Sequence, residues 1–306
     1  MRNKMEASRA NLIADKSSQN CTKRENINVS VDRITLVAEL SLDAWEEHYF
    51  DWLSLPFIQS KGAGLQVLDF SSEDKVQQIA YIEMPEYHTD KIRIDFNPNH
   101  SMNTEGGEWL IETLHKLPNK HFSRLDIAID VFNYPDLYLY DFYKFGASKT
   151  SWRGRGRKLE TNYWGSRTSQ QQIRLYDKKV EQKNKGKTVE FESWWRLEFQ
   201  LRGHKASNYF KVINDMLDDF YIIDYKNPNL TDSEQNKLLR LMIDDDYYGS
   251  CNLSKKRRLR KLVEKSEADF SISKKIKSTF NASSANIDKT LHYYLDCSYP
   301  PIWVIK

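Results

Sequence analysis

Four segments of this chain alternate apolar and polar residues with a period of two: Ile92-Arg93-Ile94-Asp95-Phe96-Asn97, Ser123-Arg124-Leu125-Asp126-Ile127-Ala128-Ile129-Asp130, Ile173-Arg174-Leu175-Tyr176-Asp177-Lys178 and Trp195-Arg196-Leu197-Glu198-Phe199-Gln200. Successive side chains of a strand point to opposite faces, so this pattern needs one buried face and one polar face. Arg93, Asp95 and Asn97 then share a face, as do Arg124, Asp126, Ala128 and Asp130. Arg174, Tyr176 and Lys178 share one, and so do Arg196, Glu198 and Gln200. If the four strands are neighbours in one sheet, a single face gathers a tyrosine, several carboxylates and several arginines. Cross-strand ion pairing on a solvated antiparallel sheet would produce the same spacing, and spacing alone leaves both readings open.

The rest of the chain supports an α+β fold. Further strands are expected at Asp32–Ala38, Gln78–Met84 and Thr161–Trp164, the last forming a hairpin with Gln171–Lys178 around Gly165-Ser166-Arg167. Trp45, Tyr49 and Trp52 recur at i, i+4 and i+7, the spacing of one helix face, and Glu105–Leu117 reads as a second helix. Beyond residue 205 the pattern is helical. The expected architecture is a mainly antiparallel sheet with flanking helices, forming a catalytic domain over 29–205, followed by a small helical C-terminal region over 206–306. Residues 1–28 lack periodicity and read as a flexible tail.

Tyr176 is the residue with the clearest chemical use. Its flanking cations, Arg174 and Lys178, suit attack of a phenol on a phosphodiester. They can hold the phosphate, and nearby positive charge favours the phenolate. Carboxylates at the density of this face suit a hard cation of the Mg²⁺ or Mn²⁺ type. None of the seven histidines pairs as His-x-His, so a histidine-held metal is not indicated.

Charge is distributed unevenly although the net formal charge is only +3. Lys149, Arg153, Arg155, Arg157 and Lys158 form one basic block with no acid among them. Lys255, Lys256, Arg257, Arg258, Arg260, Lys261 and Lys265 form a second, against the single Glu264. Aspartates from Asp215 to Asp246 lie between the two. Ser254 is positioned to cap a basic amphipathic helix whose stripe is Leu259, Leu262 and Val263. Such a helix can lie in a major groove or along a phosphate backbone. No run approaches a transmembrane length and the N-terminus lacks the apolar core of a signal peptide. The three cysteines, Cys21, Cys251 and Cys297, are widely spaced, which argues against a zinc site or disulfide framework and for a reducing cytoplasm.

DRITLVAEL, KIRIDFNPN, FSRLDIAID, TNYWGSR, IRLYDKK and WWRLEFQLR occur in this order over residues 30 to 205. In these segments the chain resembles the trans-acting replication initiators of rolling-circle plasmids of Gram-positive bacteria, whose nucleophile is one tyrosine. The resemblance implies a metal-dependent enzyme that binds the double-strand origin, an inverted repeat or hairpin. It nicks one strand and stays linked to the 5′ phosphate. The family's tyrosine falls on Tyr176, and Asp177 stands where relatives often have Asn. The acidic residues of the RLD and RLE motifs fall on Asp126 and Glu198, the implied ligands of Mg²⁺ or Mn²⁺, with Asp130 and Asp95 as weaker candidates. The resemblance further implies a homodimer, a host helicase as partner, no membrane association, and origin recognition by the basic helix around Arg257 to Lys261. A relaxase of a mobilisable element would share the chemistry. A non-catalytic, sequence-specific DNA-binding protein would share the charge pattern.

Overall fold

The structure, a computed structural model, describes residues 26–71, 76–100, 102–134, 142–155, 159–267 and 272–296. In chain order the strands are β1 (Asn26–Glu39), β2 (Ile58–Lys61), β3 (Gly64–Asp69), β4 (Gln77–Glu83), β5 (Lys91–Phe96), β6 (His121–Phe132), β7 (Phe142–Lys144), β8 (Lys149–Arg153), β9 (Leu159–Trp164), β10 (Gln171–Asp177), β11 (Trp194–Arg202) and β12 (Phe220–Ile222). The helices are α1 (Leu42–Leu53), α2 (Glu105–Lys116), α3 (Lys178–Asn184), α4 (His204–Ser207), α5 (Tyr209–Asp218), α6 (Asp232–Ile243), α7 (Asp245–Ser250), α8 (Leu253–Ser266) and α9 (Ile272–Asp296).

Ten strands form one antiparallel sheet in the order β2-β3-β4-β5-β1-β6-β11-β10-β9-β8. The four alternating segments are therefore in one sheet, with β1 inserted between β5 and β6. Their apolar face carries Ile34, Leu36, Ile92, Ile94, Leu125, Ile127, Ile129, Ile173, Leu175, Leu197 and Phe199, all buried. Helix α9 crosses this face. Its Ile272, Ile276, Phe280, Ile287, Leu291 and Tyr294 recur at helical spacing and are buried in the same core. The Tyr294 ring meets Phe96 edge-on at 4.9 Å. A second apolar cluster joins Phe145 and Ile223 to Leu238, Leu241, Leu259, Leu262 and Val263 of α6 and α8. Residues beyond 205 thus contribute to both cores, and β12, within that largely helical stretch, pairs with the earlier strand β7.

Three local expectations are corrected. Asn26–Asn28, assigned to the tail, pair with Phe132, Val131 and Asp130, and the rest of the tail lies outside the described residues. Lys178 opens α3 and does not continue the strand, because the Asp177 side chain accepts from Val180 N at 3.0 Å and caps a helix there. Helix α8 is capped by Asn252, which accepts from Lys255 N at 2.9 Å, and Ser254 lies inside its first turn. Among the described residues no helix is long and apolar enough to cross a membrane.

Candidate active site on the polar face of the sheet

Antiparallel register sets the polar side chains in rows, because residues directly opposite each other share a face. One row runs Trp152–Thr161–Tyr176–Arg196–Asp130 across β8, β9, β10, β11 and β6. The next runs Thr150–Tyr163–Arg174–Glu198–Ala128 across the same strands. A third runs Gln172–Gln200–Asp126–Arg33, ending on β1. The expected gathering of Tyr176 with carboxylates and arginines is therefore present.

Tyr176 is buried, 5% exposed. Its hydroxyl accepts from Lys178 Nζ at 3.3 Å and donates to Glu198 Oε2 at 3.4 Å. The Arg174 guanidinium lies over its ring, 3.8 Å from the centroid, in cation–π geometry. Arg174 Nε is buried with no hydrogen-bond partner among the described residues, and the guanidinium is 3.9 Å from Glu198 Oε2. The resting phenol is not activated as the flanking cations suggest. Burial pushes its pKa well above the ordinary tyrosine value, Glu198 pushes it the same way, and Arg196 and Arg174 offset this only in part. Lys178 is itself buried, which lowers its pKa, and it pairs with Glu181 at 2.6 Å.

The acidic residues differ in their arginine partners. Asp130 is the counter-ion of Arg196. Its Oδ1 accepts from Arg196 Nε at 2.8 Å and from Trp194 Nε1 at 2.7 Å, and its Oδ2 accepts from Arg196 Nη2 at 2.8 Å. Burial opposes the Arg196 charge, yet the Asp130 and Asp32 carboxylates hold its pKa above the ordinary arginine value. Asp95 is similarly held by Arg33 at 2.7 and 2.6 Å and by Thr35 at 3.2 Å. Asp130 and Asp95 are thus each paired with a neighbouring arginine.

Asp126 is also gripped by an arginine, Arg124, whereas Glu198 has no such two-bond partner among the described residues. Both carboxylates are buried, 2% and 8% exposed. Burial raises both pKa values, and each is raised further by neighbouring carboxylates, Asp32 for Asp126 and both Asp126 and Asp32 for Glu198. Arg124 grips Asp126 at 2.9 and 2.7 Å and pulls the other way, as does Arg174 for Glu198. Glu198 is thus a poorly compensated buried anion beside a second carboxylate. No group of three His, Cys, Asp or Glu side chains among the described residues is arranged to hold a metal. A pair of carboxylates still fits Mg²⁺, which is commonly held by one or two carboxylates, with waters and substrate phosphates as its other ligands.

Asp32 reaches this face although no alternation marks it. A register shift between Val31 and Arg33 turns it towards Arg196 Nη1, 2.5 Å away. Only the bulge reveals that contact.

The basic residues are far less concentrated than their sequence blocks. On α8, Lys255, Arg257, Arg258 and Lys261 are exposed, and Arg257, Arg258 and Lys261 lie within one turn of each other. Lys256 lies half-buried over the Tyr248 ring at 5.5 Å. Arg260 turns inward, bonding Asp219 at 2.6 Å and Tyr248 at 2.9 Å over the Phe145 ring, so it serves the second core. Arg153 and Arg155 are exposed beside the β8 edge, while Arg157 and Lys158 lie outside the described residues.

Comparison with known proteins bears on the family of the chain. Replication initiation proteins of Staphylococcus aureus are 29% and 28% identical over 231 residues, covering 72% of this chain and 70% of theirs. A solved structure, the rolling circle replication initiator protein from Geobacillus stearothermophilus, aligns with a TM-score of 0.41 and 16% identity, over 69% of this chain and 91% of that one. The family model of the replication initiation factors matches residues 120–296, more than half of the sequence and all of β6, β10 and β11, and the chain belongs to that family.

Proposed function

We propose that this replication initiation factor is a rolling-circle initiator that nicks one strand of a double-strand plasmid origin through Tyr176. The observation that carries the reading is the Tyr176 hydroxyl held between Lys178 and Glu198 with Arg174 across its ring. A phenol with one cation and one carboxylate at its oxygen, and a second cation over its ring, has a phosphate clamp beside a proton acceptor.

In the reaction the phenol proton passes along the 3.4 Å contact to Glu198 Oε2. The phenolate oxygen bonds to phosphorus, the bond from phosphorus to the 3′ oxygen breaks, and that oxygen takes a proton from water. Arg174, with its Nε unpartnered among the described residues, and Lys178 orient the phosphate and offset the charge that builds on its oxygens. Asp126 and the second oxygen of Glu198 would hold Mg²⁺ or Mn²⁺, which supplies Lewis-acid polarisation of the phosphoryl oxygen when bound. Arg196, fixed by Asp130 and Asp32, buttresses Tyr176 from the adjacent strand. The 5′-phosphotyrosine retains a transferable bond, so attack by the 3′ hydroxyl rejoins the strand. Duplex contact falls to the exposed residues Lys255, Arg257, Arg258 and Lys261 of α8, with Lys256 at its margin. In this reading two copies act at an inverted repeat and a host helicase opens the nicked duplex, as the family resemblance implies.

The test is nicking of supercoiled plasmid carrying the native locus, with wild type and Tyr176→Phe, in Mg²⁺ and in EDTA. Nicked circles carrying covalent protein are expected only from wild type with metal, with origin binding by Tyr176→Phe within a few-fold of wild type. Equal nicking by Tyr176→Phe overturns the nucleophile. Specific binding without nicking by either protein supports a non-catalytic DNA-binding role instead.

A further inference from the structure

The row that contains Tyr176 ends at Trp152 on β8, the edge strand of the ten-stranded sheet. Trp152 is 57% exposed. Tryptophan offers a large apolar ring, and it is enriched at contact surfaces. Trp152 shares the polar face, two strands from Tyr176 and about 10 Å away at the usual strand spacing. Between and beside them lie Thr161, Thr150 and Tyr163, with the Arg174 and Arg167 guanidiniums 5.9 and 6.0 Å from the Tyr163 ring. The exposed Arg153 and Arg155 follow directly in the chain. An aromatic face beside cations, in line with a nucleophile for phosphodiesters, is the composition of a single-strand binding track.

We infer that Trp152 is a stacking platform for a nucleobase of the single strand that Tyr176 attacks, holding the base beside the scissile phosphate while cations track the backbone. The inference rests on the proposed nicking reading for which phosphate is cleaved. It does not rest on it for the stacking itself. A stacked base would fix the register of the strand across β8, β9 and β10, and so which phosphate reaches Tyr176. Every base has a π-face, so the platform would accept any base, and origin preference would come from other contacts.

The test uses fluorescein-labelled oligothymidylate of about a dozen nucleotides, within the usual site size of single-strand modules, and reads anisotropy for wild type, Trp152→Ala and Trp152→Phe. The exposed position lets both variants fold, which thermal melts monitor. The expected result is a weakening of roughly five-fold to 150-fold for Trp152→Ala, from the usual stacking contribution per base. Trp152→Phe should recover most of the loss, and binding of a duplex carrying the native locus should stay within two-fold or so of wild type. Equal oligothymidylate affinity of wild type and Trp152→Ala overturns the inference, as does no binding by wild type. An equal loss on duplex also overturns it, as does a change in oligomeric mass with unchanged affinity, which would make this edge a contact between copies. A wild type that fails to nick plasmid while showing the Trp152-dependent affinity would remove the nicking reading and leave the platform standing.

Discussion

Replacing Asp130 by alanine separates a structural carboxylate from a metal-binding one. Asp130 and Arg196 are joined by two 2.8 Å bonds, and their side chains are 6% and 9% exposed. Removing one partner of a buried pair leaves an uncompensated charge and typically costs about 3–5 kcal/mol. Here Asp32 stays on Arg196 Nη1 at 2.5 Å, and its side chain, 23% exposed, supplies partial compensation, so the lower end applies. Trp194 Nε1 also loses its acceptor, worth about 1 kcal/mol where the donor stays out of water. The expected loss is therefore about 3–4 kcal/mol, measured by urea unfolding of metal-free protein at neutral pH. A metal-ligating carboxylate behaves in the opposite way, since removing it relieves repulsion in the metal-free protein.

The double variant Asp130→Ala with Arg196→Met closes the argument. Replacing both partners removes the orphaned charge, so the pair should unfold at higher urea than Asp130→Ala alone. A loss below about 1 kcal/mol for Asp130→Ala would refute the assignment of Asp130 as the Arg196 anchor, because that is the range of surface pairs.

Asp126→Ala is expected to abolish metal-dependent cleavage while leaving oligothymidylate binding intact, and normal cleavage in limiting Mg²⁺ would remove Asp126 from the ligand pair. Glu198→Gln should raise stability at neutral pH. Burial lifts the folded-state pKa of Glu198 above its unfolded value, so wild-type stability falls as pH rises from about 4 through the folded pKa, and the advantage of the variant must grow over that range in urea unfolding. An advantage that shrinks with rising pH would refute the charge assignment. Substituting Arg257, Arg258 and Lys261 together by alanine should weaken duplex binding and reduce the slope of log affinity against log salt by about 2.7, at about 0.9 per phosphate contact. An unchanged slope would exclude α8 from the DNA backbone.

The sheet was legible where its period was strong. Ile92 to Phe96, Leu125 to Asp130, Ile173 to Tyr176 and Leu197 to Gln200 alternate without interruption, and each is a strand with the expected face buried. The hairpin β2–β3 escaped notice because Ile58 is the sole buried residue of β2, which leaves no alternation to read. Alternation also reports a face and not its depth. It groups Tyr176 with Arg174 but says nothing of the burial that raises the tyrosine's pKa. Pairings across distant strands were hidden for a related reason. Arg124 and Asp126 are two residues apart and visibly share a face, whereas Asp130 meets Arg196 only because β6 lies beside β11. The inward turn of Arg260 depends on where Asp219 and Phe145 fall in the second core, which no helical wheel contains.

On the proposed function the substrate and cation would complete the electrostatics of the site. Burial raises the pKa of both Tyr176 and Glu198, so a charge on either is disfavoured in the free protein. Arg174 meanwhile has a buried Nε with no hydrogen-bond acceptor among the described residues. A phosphate entering between Arg174 and Lys178 supplies that acceptor. A cation beside Asp126 and Glu198 would reduce the negative charge that holds the phenol protonated. On the proposed function each of these gains would arise only with DNA and metal bound, which would direct binding energy to the reacting state. An exposed, low-pKa tyrosine would be a stronger nucleophile towards any phosphodiester. On the proposed function a buried one would act on the strand aligned across its own sheet.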